Sequence, residues 1–507
     1  MANSRRVGAF LSYVYMTVNV VVQLIYVPLL LGSIGRDEYG MYQLIGSIMA
    51  YVISINGVLS AGVGRFYCKY IAEGNQEKAE NTLAISRRIY WIMSAMAVLA
   101  VGILMLIFRN IYSSSFTPAQ IEECTAMLFV LGINTVITMN NTVSIAAITA
   151  HERFVFLKLS SLVVLIAQPI LVILLTGFFP NALTVTVVIL AMNAACACVQ
   201  SLYRRNALKV GKNYYGWDPK LAKALLGFSG AIVMVTIADQ IFWKTDQLIV
   251  GYMFGAGSVA VYAVGAQIYQ MYMNIGTAAG AIFLPRVSEL YHKNHDFKAL
   301  SDLFIKFGRL NCLLLLFVLG GFTVFGQDFI KLWLGDGYFD SYLVALIVMI
   351  PFTIDLIQNL GLTILQVTNQ YYFRGAMYLI IAVLNIFLTV ALLAVWGLPG
   401  AALSTAISMF IGNGLIMNWY YSRKVGLDVR RFWKEIWRIF LPASAVTGVS
   451  AAAWLSFPFD HGHFGSFVLG CMMYGFMYVL FEWLFGMNHY EKGLLKSFVG
   501  KVVPCVK

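Results

Sequence analysis

Residues 376–396 read AMYLIIAVLNIFLTVALLAVW, a run without a charged side chain, preceded by Arg374 and closed by Gly397-Leu398-Pro399. A helix of about twenty apolar residues matches the ~30 Å hydrocarbon thickness of a bilayer. Comparable runs lie near 7–31, 40–63, 89–108, 124–149, 157–177, 183–203, 225–250, 259–284, 310–334, 342–367, 400–421, 439–457 and 466–486. Together they predict an all-α integral membrane protein of about fourteen transmembrane helices.

Composition agrees. The chain is 60% hydrophobic and 11% charged, with a mean hydropathy of +0.77, whereas a soluble domain carries about 25% charged residues. The net charge of +12 does not point to nucleic acid, because the basic residues sit beside the apolar runs, where they meet anionic headgroups. All but four of the 35 Lys and Arg fall in every second gap. The exceptions are Arg36, Arg109 and Lys331 in the other gaps and Lys244 inside a run. This bias and an even number of spans predict both termini in the cytoplasm. Ser4-Arg5-Arg6 precedes an apolar run too long for a signal peptide, so it reads as a first transmembrane helix.

The longest gaps, near 64–88, 204–224, 285–309 and 422–438, leave no room for a soluble domain of about 50 residues. The seven cysteines (Cys68, Cys124, Cys196, Cys198, Cys312, Cys471 and Cys505) form no Cys-x-x-Cys pair and read as buried thiols. No phosphate loop and no Ser/His/Asp or Cys/His arrangement is visible, so the chain reads as a non-enzyme without cofactor. His292-x-x-His295 and His461-Gly-His463 lack cysteines or paired carboxylates beside them, so no metal site is expected.

A faint internal repeat runs through the chain. Gly32-Ser-Ile-Gly35-Arg-Asp-Glu-Tyr39-Gly-Met-Tyr42 joins the first two spans, and Met253-Phe-Gly255-Ala-Gly-Ser-Val-Ala-Val-Tyr262 joins the seventh and eighth. An offset of 220 lays Gly35 on Gly255 and Tyr42 on Tyr262. Both copies begin on the same side, so the repeat is parallel. It predicts two pseudo-symmetric six-helix lobes, 1–203 and 225–421. A cytoplasmic linker, 204–224, joins them, and 422–507 holds an additional helix pair and a cytoplasmic tail.

Ionisable groups at bilayer depth cost free energy and persist where they face protein, water or substrate. The candidates are Asp239, Lys244 and Asp246 in the seventh span, Asp355 in the tenth and Glu482 in the last. At about 100° per residue, Asp239, Gln240, Trp243, Lys244, Asp246 and Gln247 share an arc of roughly 160°. Other polar stripes are Asp355, Asn359, Thr363 and Gln366; Gln267, Gln270, Asn274 and Thr277; Asn134, Thr138 and Asn141; and Tyr15, Asn19, Gln23 and Tyr26. Helix–helix hydrogen bonding accounts for any one such residue. So many stripes together point to a hydrated cavity of amides, hydroxyls and aromatic rings, suited to sugar. Lys244, Arg36, Arg65 and Arg286 are candidate contacts for phosphate, an acidic sugar or a gate. Asp239, Asp246 and Asp355 are candidates for ion coupling.

The hairpin Leu31-Gly-Ser-Ile-Gly35-Arg-Asp-Glu38-Tyr39-Gly40-Met-Tyr42 resembles that of the polysaccharide transporter, or Wzx-like, oligosaccharide flippases. So do Gly64-Arg65-Phe-Tyr, Tyr70-Ile-Ala-Glu-Gly74-Asn-Gln-Glu-Lys-Ala, and Asp246-Gln-Leu-Ile-Val-Gly251-Tyr-Met-Phe-Gly255. These transporters belong to the multidrug/oligosaccharidyl-lipid/polysaccharide flippase superfamily, with the multidrug exporters and the lipid II flippase. The resemblance implies two six-helix bundles around a central cavity and alternating access in a bacterial plasma membrane. The substrate it implies is a polyprenyl-pyrophosphate-linked oligosaccharide, moved to the outer leaflet for cell-surface polysaccharide such as an O-antigen. Expected partners are that lipid, membrane lipids, H+ or Na+ and other polysaccharide-assembly proteins, with no nucleic acid. The alternatives are a cation-coupled multidrug or small-solute antiporter of the same fold and a membrane glycan polymerase or ligase.

Overall fold

The computed structural model describes residues 2–211, 213–277, 283–294, 296–456 and 464–502. His295, His461, His463, Cys505 and Lys507 lie outside the described residues, as do the side chains of Arg5, Arg6, Lys293 and Lys501. The described residues are nearly all helical, with no strand among them.

The first helices are α1 (Ala2–Ile34), α2 (Arg36–Ala72), α3 (Gln76–Tyr112), α4 (Pro118–Ala150), α5 (Phe154–Thr176) and α6 (Ala182–Leu202). Then come α7 (Pro219–Phe254), α8 (Ala256–Thr277), α9 (Leu284–Asn294), α10 (Phe297–Leu334), α11 (Phe339–Ile357) and α12 (Leu360–Val367). The chain ends with α13 (Tyr371–Trp396), α14 (Leu398–Met409), α15 (Met417–Tyr420), α16 (Val429–Ser456), α17 (Phe464–Phe481) and α18 (His489–Val502). Among the described residues, eleven helices are long and apolar enough to cross a membrane. The protein is therefore a multi-pass membrane protein. The predicted spans 40–63, 225–250 and 259–284 correspond to α2, α7 and α8, which are helical but are not among those eleven.

Several helices outrun their apolar cores. α2 and α3 have 37 residues each, about 55 Å at 1.5 Å per residue, well beyond the hydrocarbon layer. Hydropathy finds the lipid-facing part; caps fix the ends. Asn75 caps α3 by accepting from the Lys78 N–H at 2.9 Å. Thr117 and Gln120 form a capping box on α4, with Pro118 in its first turn. Asp218, followed by Pro219, caps α7, and Asp296 caps α10.

The contacts gather the chain into two compact units, 1–263 and 264–507. In the first, α2 packs along α7, and α4 packs on α3 and α6. In the second, α10 packs on α11, α16 and α17, and α14 on α11 and α13. Gly35 and Gly255, matched by the 220-residue offset, are each the one-residue joint between two helices. Both have left-handed φ, +84° and +76°, which glycine adopts without a Cβ penalty. Gly40 lies so close to α8 that a Cβ there would land on the Ala256 carbonyl.

Two predicted spans are interrupted. The tenth breaks between α11 and α12 at Gln358–Asn359, where bonds tighten to Asp355 O and Leu356 O. Asn311 on α10 donates to Leu356 O and to Gly276 O, both at 2.8 Å. It thereby adds a second donor to the Leu356 carbonyl, which already accepts the shortened bond from the Asn359 N–H. The twelfth span, 400–421, passes through a π-helical stretch, Phe410–Ile416.

Candidate functional site

In the first unit the polar residues of α7 divide by depth. Asp246 and Gln247 are buried. Tyr262 donates its hydroxyl to Asp246 Oδ2 at 2.7 Å, and Gln247 Oε1 accepts from Ser47 on α2. The Tyr51 and Thr245 hydroxyls meet at 2.6 Å across the same α2–α7 seam. These side chains lock helices together. Asp239, Gln240, Trp243 and Lys244 are half-buried. Lys244 has no ion-pair partner among the described residues.

The amides of α4 bond to α6. Asn134 Oδ1 accepts from Asn193 at 3.0 Å, and Asn141 donates to Gln200 Oε1 at 2.7 Å. Both pairs are 59 residues apart in sequence, the constant offset of two parallel helices in register. Asn141 Oδ1 is buried without a donor. Asn19 and Gln23 on α1 are half-buried. Arg36 and Arg65 are exposed, and Arg36 Nε donates to Gly257 O at 2.9 Å, tying the two glycine joints together.

At the N-terminal ends of α2, α4 and α6 two carboxyl groups share one helix start. Glu38 Oε2 accepts from the Ala182 N–H at 2.7 Å and Glu123 Oε1 from the Leu183 N–H at 3.1 Å. Partial burial pushes Glu38 up, as do Glu123 and Asp37, against the pull of the Ala182 N–H. The result is about 7.

In the second unit, Gln267 and Gln270 on α8 are half-buried and Asn274 is exposed. Arg286 is exposed and paired with Glu289 at 2.7 Å. Asp355 and Asn359 flank the α11–α12 break and are half-buried. Asp355 faces Arg374 of α13 at 4.0 Å, and that guanidinium lies 5.1 Å from the centre of the Tyr378 ring. Sequence reasoning took Arg374 for a loop charge. Its partner is on another helix; the only local signal was the surrounding Tyr371, Tyr372 and Tyr378. Also missed was an amide relay at the break. Gln358 donates to Asn418 Oδ1 at 3.0 Å, and Trp433 Nε1 donates to the same oxygen at 2.8 Å.

A groove of about 350 Å³ opens on α10 and α17, lined by Phe317, Phe322, Phe325, Phe329, Phe467 and Tyr474. Its walls are almost wholly apolar, so it suits hydrocarbon rather than sugar. Among the described residues, no three His, Cys, Asp or Glu side chains gather as a metal site would require.

The family described as "Polysaccharide biosynthesis protein" matches residues 34–343, more than half of the chain. The chain belongs to this family. No curated protein matches it in sequence. Solved structures share its fold at low identity. The lipid II flippase MurJ, in an inward closed conformation, superposes with a TM-score of 0.72 at 13% identity, covering 94% of this chain and 98% of that one. An inward-facing multidrug resistance transporter of the MATE family in the MOP superfamily gives 0.64 at 15% identity, over 83% and 96%. A MOP superfamily transporter from Pyrococcus furiosus, whose binding pocket is described as having reversed polarity, gives 0.57 at 12%, over 80% and 93%. This member of the polysaccharide biosynthesis family therefore has the MOP superfamily fold.

Proposed function

We propose that the protein is a flippase for polyprenyl-pyrophosphate-linked oligosaccharide, working by alternating access between lobes 1–203 and 225–421. It acts in a bacterial plasma membrane with both termini cytoplasmic, and makes or breaks no covalent bond. The observation that carries this reading is Lys244: a half-buried ammonium without a carboxylate partner among the described residues, in a polysaccharide biosynthesis family member with the MOP fold. Lys244 meets pyrophosphate or an acidic sugar, and Gln240, Trp243, Asn19 and Gln23 meet hydroxyls and ring faces. The aromatic groove on α10 and α17 takes the isoprenoid tail. An inside-negative potential drives outward movement of negative charge with about 2.3 kcal/mol per charge per 100 mV. H+ or Na+ exchange through Asp239, Asp246 or Asp355 is the other source of drive.

The test is flipping of undecaprenyl-pyrophosphate oligosaccharide by the purified protein in liposomes. Transfer should require the protein and respond to an imposed potential; no transfer above protein-free vesicles would remove the reading. The MATE likeness favours a second reading, a cation-coupled antiporter of drugs or small solutes. In that case Asp239→Asn or Asp355→Asn should abolish drug export, and deletion should leave lipid-linked glycan on the inner leaflet unchanged.

A further inference from the structure

Arg309 on α10 is 2% exposed, and all five of its N–H groups are engaged. Nε donates to Glu491 Oε1 at 2.7 Å. Nη1 donates to Glu435 O at 2.8 Å and Glu435 Oε2 at 3.0 Å. Nη2 donates to Gly486 O and Glu491 Oε2, both at 2.8 Å. A guanidinium has five donors, so none remains. The clasp joins α10, α16, the π-helical turn Glu482–Gly486 and the first turn of α18. Its charges also balance: Glu435 pairs in addition with the exposed Arg438 at 3.0 Å, and Glu491 Oε2 accepts from the Asn488 N–H at 2.8 Å.

Glu482 opens that π-helical turn and is fully buried. Neither of its carboxyl oxygens has a hydrogen-bond partner. The charged and titratable groups around it are Arg309 and Cys312 on α10, Glu491 on α18, and Tyr474 and Tyr478 on α17, with Glu435 of α16 on the far side of the clasp. None of them is a hydrogen-bond partner of the carboxyl. Tyr478 gives its hydroxyl to Leu313 O at 2.8 Å and Tyr474 to Phe317 O at 3.3 Å. The Ala443 N–H of α16 is not in hydrogen-bond geometry with the carboxyl. An isolated carboxylate buried without donors is strongly disfavoured against the neutral acid. π-Helical turns are also frequent at functional sites.

We infer that Glu482 is a buried proton-binding site that controls the Arg309 clasp on α18. With its proton in place the carboxyl is neutral and leaves Arg309 to Glu435 and Glu491. When the O–H bond breaks and the proton passes to water, the new carboxylate competes with Glu491 for the guanidinium, and α18 loosens. No redox step or further reactant is involved. The inference is independent of what substrate the protein carries.

Two measurements on the full chain in lipid nanodiscs test it. Infrared difference spectra at neutral pH should contain a carboxylic-acid C=O band that vanishes in Glu482→Gln and bleaches in wild type at alkaline pH. Amide hydrogen exchange over 489–502, taken as the ratio of wild type to Glu482→Gln at each pH, should be near one in acid and rise several-fold in alkali. Glu491→Gln should speed that exchange at every pH. An unchanged infrared spectrum in Glu482→Gln, or an exchange ratio flat with pH, would overturn the inference. Should Glu482→Gln fail to fold, Glu482→Asp decides the matter: the alkali-sensitive band should shift in frequency, and an unshifted band would overturn the inference.

Discussion

In the hairpin of α1 and α2 the chain places Asn19, Leu24, Tyr26 and Gly40. In the hairpin of α7 and α8, 220 residues on, the matching positions hold Asp239, Lys244, Asp246 and Ala260. The joints are alike: Gly35 and Gly255 take nearly the same backbone conformation, φ +84° and +76°. The side chains are not alike. The first copy is uncharged at these positions and packs closely; the second concentrates ionisable groups along α7. A duplicated scaffold can keep its turn and let one copy carry the electrostatics, because turn geometry and helix-face chemistry depend on different residues.

The close approach breaks the symmetry hardest. Gly40→Ala puts a Cβ onto the Ala256 backbone, and overpacking against rigid backbone costs about 3 kcal/mol. The reverse change in the other copy, Ala260→Gly, should cost only about 1 kcal/mol through helix propensity. Thermal unfolding in detergent, followed by size-exclusion fluorescence, should show Gly40→Ala as poorly folded and Ala260→Gly as mildly destabilised. Equal effects would mean that the two hairpins are packed alike.

The two tyrosines make the next contrast. Tyr262 donates to the buried Asp246, and leaving a buried acceptor without its donor costs about 1–3 kcal/mol. Tyr26, at the position matching Asp246, has a buried hydroxyl with no partner. Tyr262→Phe should therefore destabilise measurably, and Tyr26→Phe should be neutral or slightly stabilising, since it removes an unmet polar group. The same unfolding assay reads both.

Lys244 sharpens the comparison in function rather than stability. Its counterpart in the first copy is Leu24. Loss of one charge-assisted contact to phosphate, about 1.5 kcal/mol, is about tenfold in rate. Lys244→Ala should slow flipping of an anionic lipid-linked glycan by that factor, and Lys244→Arg should retain most of it. Unchanged flipping in Lys244→Ala would remove this residue from the substrate site.

What could be read from the chain follows from the range of each signal. Hydropathy is local and strong, so most helices were found. Caps such as Asn75 and Thr117 are local too, but they fix ends that lie outside the apolar window, so α2 and α3 were read short. The α11–α12 break was not legible: a side chain on α10, Asn311, supports it from a distance in sequence. Polar stripes pointed to a hydrated cavity, and most of their residues are buried or half-buried. They could not separate Asp246, bonded to Tyr262 of α8, and Gln247, bonded to Ser47 of α2, from Lys244 two and three residues away. Likewise the Arg309 clasp joins residues up to 182 positions apart, beyond any motif.

The smallest expected effect lies at the joint itself. Glu38 belongs to the first hairpin alone; its match in the second is Ser258. It is half-exposed two residues outside the predicted span 40–63, and burial and the neighbouring carboxyls raise it from 4.5 to about 7. The native state therefore binds the proton more tightly than the unfolded chain, and stability must fall as that proton is lost. The stabilisation is complete below about pH 4.5 and disappears as pH rises through about 7. In that window the protonated Glu38 can donate to Glu123; above it two carboxylates confront each other across the α6 start. Glu38→Gln keeps an uncharged donor in place, so its melting temperature should stay level from pH 5 to about 8 while that of the wild type declines. A wild-type melting temperature that instead rises across this interval would mean that Glu38 is already ionised in the folded protein, with the Ala182 N–H outweighing its acidic neighbours.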